Sequence, residues 1–469
     1  MPIQRELRQL AATLLIAFAA VALAATYWAV IGPDTLSTRD DNPRRVEQET
    51  RLQRGSILDR AGTSLAVSQP DASGHYFRSY PHSEMDGALG YFSYRYGTSG
   101  VEASYDSLLR GDDLRLDVFS RLLTDVAHIP QRGSDIRLSL DLAVQRTAHD
   151  ELGDRQGAVI VLDAATGQVL ALVSQPAYDP NTLDANWETL TRQPGNPFFN
   201  RALQGRYQPG GALQPVLVAA ALLSNTPADT PIQNAAQPVQ VGQVAYTCTS
   251  QPSTTSLTLA DALRYGCPYP FVREAASLGI DPIRSIIESF SLAAPQTLSG
   301  FVTGDEPAAI TFNLTPDNLI EQALGQSDLS VSPLQMASVA AAILNGGSAP
   351  PPHLLLQFRP PGSSDWLDVP PPAGSRAFTT AAVTQQLQTM MQQSAILDEV
   401  NTARDPGLRI GGHAALAYSG TTSQTWFFGF IPTGPQQGYA IALILEDTAD
   451  PAAAARIASR ILLAAVANR

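Results

Sequence analysis

The residues best equipped for chemistry in this 469-residue chain lie toward its C-terminal end, where His413 precedes the hydroxyls of Ser419, Thr421 and Ser423. A hydroxyl and an imidazole together make an acyl-transfer nucleophile and its base, because serine and threonine are weak nucleophiles until a neighbour accepts their proton. Hydroxyl residues near a histidine in sequence are commonplace, so the grouping alone is a weak signal. What the chain lacks says more. All 30 of its basic residues are arginine, and a guanidinium with a pKa above about 12 does not deprotonate in proteins. A mechanism that needs a lysine amine as base is therefore closed. Cys248 and Cys267 form neither a C-x-x-C pair nor a zinc spacing with the six scattered histidines, so no metal and no cofactor is expected. In an oxidising compartment the two cysteines would be able to pair; otherwise they read as two buried thiols.

The elements that must position such groups follow from composition and pattern. A chain 44% hydrophobic and 16% charged folds, and its length allows more than one domain. A formal net charge of -13 repels phosphate backbones, which excludes nucleic acid as a partner. Residues 10–31 are uncharged and apolar over more than the roughly 20 residues a membrane-spanning helix needs. Arg5 and Arg8 precede this run, and Tyr27 and Trp28 lie near its far end, which predicts a cytoplasmic N-terminus and an extracytoplasmic body. Ala22-Leu23-Ala24 resembles a signal-peptide cleavage site, but the apolar run continues to Ile31, so an uncleaved anchor is expected.

Beyond the anchor, short Gly-, Ser- and Tyr-rich segments reach about residue 111, followed by a predicted helix over residues 114–127. Residues 158–162 and 169–173 are apolar runs joined by a turn containing Asp163 and Gly167, and residues 425–431 and 439–445 repeat the arrangement. Two such hairpins predict an antiparallel sheet. Helices expected at residues 215–223, 333–344 and 452–467 would flank it. The proline groups within residues 349–372 predict a surface loop or insertion, because proline gives a central strand no backbone donor.

The order of several motifs then resembles the class B penicillin-binding proteins. Asn42-Pro43-Arg44, Arg54-Gly55-Ser56-Ile57-Leu58-Asp59-Arg60 and Arg95-Tyr96-Gly97-Thr98-Ser99-Gly100-Val101-Glu102 are similar to the non-catalytic module of that family. Tyr207-Gln208-Pro209-Gly210, Leu324-Gly325-Gln326, Ser332-Pro333-Leu334-Gln335 and Trp426-Phe427-Phe428-Gly429 are similar to its transpeptidase domain. The resemblance implies a cytoplasmic tail at residues 1–8, an anchor at 9–33, a mixed α+β module at 34–135 and an α/β, serine β-lactamase-like transpeptidase domain at 136–469, its antiparallel sheet flanked by helices. Arg95, Glu102 and residues 426–430 are expected to serve the fold rather than a ligand.

In that family S-x-x-K supplies a serine nucleophile and a lysine base, S-x-N returns the proton, and K-T-G holds the substrate's backbone and carboxylate. Here the S-x-x-K position reads Gly211-Ala212-Leu213-Gln214, the S-x-N position Gly266-Cys267-Pro268, and the K-T-G strand Tyr418-Ser419-Gly420-Thr421. Gly211, Gln214, Gly266, Pro268 and Tyr418 are thus degenerate positions, whereas Ser419, Gly420 and Thr421 retain a ligand-pairing pattern. A hydrogen bond between Tyr418 and Gln214 is expected to close the former cleft. The sequence reading is accordingly a catalytically inactive member with a scaffolding or regulatory role in peptidoglycan synthesis, bound to a polytopic glycan polymerase of the shape, elongation, division and sporulation class. Two other readings stand beside it: a D,D-transpeptidase with an unrecognised nucleophile, and a reversible receptor for peptidoglycan stem peptides.

Overall fold

The computed structural model describes residues 3–30, 49–112, 132–303, 312–326, 328–402, 408–420 and 422–468. Asn42-Pro43-Arg44, the helix expected over 114–127 and Thr421 lie outside the described residues. Helix α1, Ile3–Val30, contains a stretch long and apolar enough to cross a membrane. Twenty-eight residues at a rise of about 1.5 Å exceed the roughly 30 Å of a hydrocarbon core. Leu14, Phe18, Val21 and Leu23 on this helix are exposed.

The module after the anchor is built on β1 (Ile57–Leu58), β2 (Ser64–Pro70) and β3 (Tyr76–Ser79). Asp59 closes the first hairpin by accepting the Thr63 amide at 2.7 Å, and Gly62 supplies the left-handed turn residue. A carboxylate then locks the module together. Glu102 has no exposed surface; Arg54 reaches it at 3.0 Å, Arg78 at 2.5 Å and the Tyr80 hydroxyl at 3.2 Å. Burial pushes the Glu102 pKa up, but Arg78 and Arg54 outweigh that and hold it below the usual carboxylate value. Arg95 lies over the ring of Tyr96, which stacks on Trp187 at 4.0 Å.

The sheet of this module recruits strands from far along the chain. Strand β4 (Asp135–Leu138) pairs parallel with β1, and its other edge pairs antiparallel with a strand from the proline-rich segment. The second domain then opens with helix α2 (Leu142–Leu152), capped by Asp141. Strands β5 (Gly157–Asp163) and β6 (Val169–Gln175) form the first predicted hairpin, its turn closed by Asp163 accepting the amides of Ala165 and Thr166. Helix α3 (Gln214–Leu223), the small ribbon β7 (Val239–Val241) and β8 (Val244–Tyr246), and helices α4 (Leu259–Tyr265), α5 (Pro268–Leu278) and α6 (Leu319–Ala323) follow. Helix α7 (Pro333–Leu344) starts at a Ser332–Gln335 capping box. The chain continues through β9 (Leu355–Arg359) and β10 (Leu367–Asp368), then β11 (Gly411–Ser419), β12 (Thr422–Gly434), β13 (Gln437–Leu445) and helix α8 (Pro451–Ala467).

Residues 349–372 are therefore not a plain loop. Their prolines fall outside the strands, and β9 and β10 complete a six-stranded sheet in the order β10-β9-β4-β1-β2-β3. Arg359 pairs with Asp135 at 2.5 Å across that junction. The other sheet runs β11-β12-β13-β5-β6, antiparallel throughout. Ala158, Ile160 and Leu162 share a core with Trp426, Phe428 and α7, whereas Val159 and Val161 share one with Phe427, α2 and α8. Covering both faces explains why these strands read as continuous apolar runs instead of alternating ones. Replacing Glu102 by Gln leaves two buried guanidiniums short of a charge, and its expected cost is about 3 kcal/mol or more in chemical denaturation. Glu188→Gln, which breaks an ion pair with both partners exposed, should leave the midpoint in place.

Candidate functional site

Strand β11 is an end strand of its sheet, so one of its edges is free to meet other parts of the chain. A one-turn helix at Gly210–Leu213 packs against that edge just before α3 begins. Gly210 has φ +54, and a side chain there would run into the backbone of Leu416 and Ala417. The Gly210 amide donates to Gly325 at 2.9 Å, which ties the turn to the Leu324-Gly325-Gln326 segment. The preceding Tyr207-Gln208 is held by Tyr207 donating to Glu446 at 2.6 Å and Trp426 donating to the Gln208 carbonyl at 3.0 Å.

At Gly211, the first residue of the Gly211-Ala212-Leu213-Gln214 segment, an added Cβ would lie 2.9 Å from the Ala415 methyl and 3.5 Å from Gln214 Nε2. The strand thus approaches the turn more closely than a serine would allow without movement. His413 Nε2 donates to the Gly211 carbonyl at 3.1 Å from a buried position on β11. Gln214 is also buried, and its Oε1 has no hydrogen-bond partner among the described residues.

The second motif position lies at the junction of α4 and α5. Gly266 ends α4 in the left-handed conformation, Cys267 caps α5, and Pro268 begins it. Cys267 is joined to Cys248 by a disulfide, which settles the pairing left open by the sequence. Thr249 sits on Gly266, 2.5 Å from where a Cβ would be, and its amide donates to the Gly266 carbonyl at 3.3 Å. On β11, the Tyr418 ring meets the Tyr246 ring edge-on at 5.2 Å, while Ser419 and Gly420 are exposed at the strand's end. Burial, with Tyr418 and Glu321 adding, pushes the Tyr246 phenol up to about 12. The Gly210–Leu213 turn therefore packs on β11 directly, while the Gly266–Cys267 turn is tied to it through the segment that carries Tyr246, Cys248 and Thr249.

One expectation about this site does not hold, and the weak grouping of His413 with Ser419 does not form a site. No hydrogen bond joins Tyr418 to Gln214 among the described residues; Tyr418 faces Tyr246 instead. Nor is His413 a base for Ser419. Six residues of strand separate them by about 20 Å, and the imidazole is buried against Gly211. Tyr246 was missed in the sequence because nothing local marks a tyrosine on a short ribbon as a cover for a distant strand end.

Residues 157–463 match the penicillin binding protein transpeptidase domain, and residues 54–136 match the penicillin binding protein A dimerisation domain. The chain belongs to the penicillin-binding protein transpeptidase family. It is 28% identical to the peptidoglycan D,D-transpeptidase PbpA of Mycobacterium tuberculosis, across 95% of this chain and 94% of that protein. The namesake of Mycolicibacterium smegmatis is 27% identical across the same shares. The structure of penicillin-binding protein A from M. tuberculosis in its ceftriaxone acyl-enzyme complex superposes with a TM-score of 0.77 at 26% identity, covering 90% of this chain and all of that one. These findings overturn the expectation of a catalytically inactive scaffold, since relatives spanning nearly the whole chain are named D,D-transpeptidases and none of those names points to scaffolding.

The site makes a prediction for pH. Burial pushes the His413 pKa from 6.5 down to about 4, outweighing the Gly211 hydrogen bond that raises it. The unfolded chain then binds a proton that the folded chain refuses, so stability falls as pH drops from about 6.5 to 4. Asp86 acts with the opposite sign. Burial pushes it up to about 7 despite the backbone amides that favour its charge, so it contributes stability that fades as pH rises toward 7. The informative quantity is the difference between wild type and His413→Gln, whose amide can still donate to Gly211. Between pH 7 and 4 wild type should lose roughly 3 kcal/mol more than the variant in denaturant titrations; parallel curves would mean that His413 is not held neutral.

Proposed function

We propose that this chain acts in peptidoglycan synthesis as a D,D-transpeptidase on stem peptides ending in D-Ala-D-Ala, taken up along the edge of β11. The match to relatives of that name across nearly all of both chains carries this reading. The edge-strand position of β11 supports it, because an extended peptide gains main-chain hydrogen bonds by adding to a free strand edge. Gly211 and Gln214 supply neither nucleophile nor base, so acyl transfer here draws on another hydroxyl. The candidate hydroxyls in the sequence are Ser419, exposed at the end of β11, Thr421, and Ser423, paired with Tyr418 across the hairpin.

The replacement of both the motif serine and lysine, in a chain without lysine, favours a second reading: reversible recognition of the same stem peptides. In either case α1 serves as a single membrane anchor with its N-terminus in the cytoplasm, Arg5 and Arg8 being on that side. The family resemblance adds a polytopic glycan polymerase as membrane partner.

Intact mass of the detergent-solubilised full chain after incubation with benzylpenicillin separates the two readings, run with and without a dithiol reductant. The transpeptidase reading predicts a one-to-one covalent adduct that maps to a hydroxyl and disappears when that residue is replaced by alanine. An unmodified mass, with an acylated relative alongside as control, rejects it and leaves reversible recognition.

A further inference from the structure

The segment around Tyr246 touches Tyr418 on β11 and Gly266 and Cys267 at the junction of α4 and α5. Strands β7 and β8 form a two-stranded ribbon that pairs with no other strand among the described residues. A lone ribbon of three residues per strand is at best marginally stable in water. Its position therefore depends on what holds it, and four contacts do so within five residues: the Tyr246 ring on Tyr418, the Cys248–Cys267 disulfide, the Thr249 amide on Gly266 and the Ser250 amide on Tyr265 at 2.9 Å. Tyr246 is 9% exposed although its neighbours Ala245 and Thr247 are exposed. Its ring is buried by the strand it covers.

We infer that residues 239–250 are a lid over the stem-peptide cleft, locked shut by the Cys248–Cys267 disulfide and released by a dithiol reductant. This rests on the proposed function for what enters the cleft, but not for the motion itself. In the release step a thiolate of the reductant attacks the sulfur of Cys248, the half-exposed partner, and Cys267, fully buried, leaves as a thiolate that takes up a proton. The reductant's second thiol then displaces Cys248 as a thiol and closes its own disulfide, so two electrons and two protons pass to the protein. What remains is an edge-on ring contact and two backbone hydrogen bonds holding a marginal ribbon. Opening uncovers the Tyr418 ring, next to the exposed Ser419 at the end of β11, and frees the Gly266–Cys267 turn, because one segment contacts both.

Hydrogen–deuterium exchange on the full chain in detergent tests this in three states: oxidised, reduced and alkylated, and Tyr246→Ala with the disulfide intact. Reduction should speed exchange in residues 239–250 and 416–419 by about tenfold or more, with residues 427–431 in the core unchanged. Tyr246→Ala should speed 416–419 alone, which keeps the test valid if reduction affects more than the lid. Unchanged exchange at 416–419 in both altered states overturns the inference. So does an equal acceleration at 427–431 on reduction, which would make the disulfide a staple of the domain. In a parallel arm, a synthetic stem pentapeptide ending in D-Ala-D-Ala should bind the reduced chain more tightly than the oxidised one. Release of 416–419 without any peptide binding upholds the lid and counts against the stem-peptide reading.

Discussion

The site depends on one contact, the packing of the β11 edge against the glycine turn at 210–211. Two glycines let the turn approach the strand, one by adopting a left-handed φ and the other by having no side chain where Ala415 sits. The His413 hydrogen bond to the Gly211 carbonyl then fixes the pair, and burial keeps that imidazole neutral. Restoring a serine at 211 would press its Cβ on a methyl carried by a strand whose inner edge is bonded along its whole length to β12. The strand cannot retreat without disturbing a core in which Trp426, Phe427 and Phe428 are fully buried. The close approach at Gly211 is therefore a property of the domain and not of one residue.

The same contact divides the cleft into two chemically different ends. Near Gly211 the edge of β11 is covered by protein, with Gln214 left holding an unpartnered carbonyl oxygen. Toward Ser419 the strand end is capped by a ribbon that has little support of its own beyond Tyr246 and a disulfide. A peptide entering this cleft meets a rigid wall at the first end and a removable cover at the second. The two ends are held by different residues, so a substitution at one end need not disturb the other.

Much of this architecture was legible in the sequence because it is written locally. The anchor declares itself by an uncharged run, and the β5–β6 hairpin by apolar segments around Asp163 and Gly167. Glu102 was read as serving the fold, and its three partners are as distant as Arg54. The proline-rich segment was misread because each proline was weighed as a strand breaker. The decisive fact, that β4 about 220 positions earlier offers an edge between the proline groups, leaves no local trace. The grouping of His413 with Ser419 is a weak signal for a related reason: nearness in sequence becomes distance along an extended strand. The lid was illegible because its ribbon is weakly patterned and cysteine spacing does not determine pairing. The degenerate motif positions directed attention to this edge of the sheet, but an absence of side chains does not by itself say what a cleft does.

The central claim is that this cleft takes a peptide ending in D-Ala-D-Ala, whether or not an acyl group is then transferred. The most direct measurement is equilibrium binding of a fluorescent stem pentapeptide to the full chain in detergent, under reducing conditions. An otherwise identical peptide ending in L-Ala-L-Ala serves as the comparison. The account predicts saturable binding that prefers the D-Ala-D-Ala terminus and is competed by benzylpenicillin. Equal or absent binding of the two peptides by a chain that remains folded would contradict it.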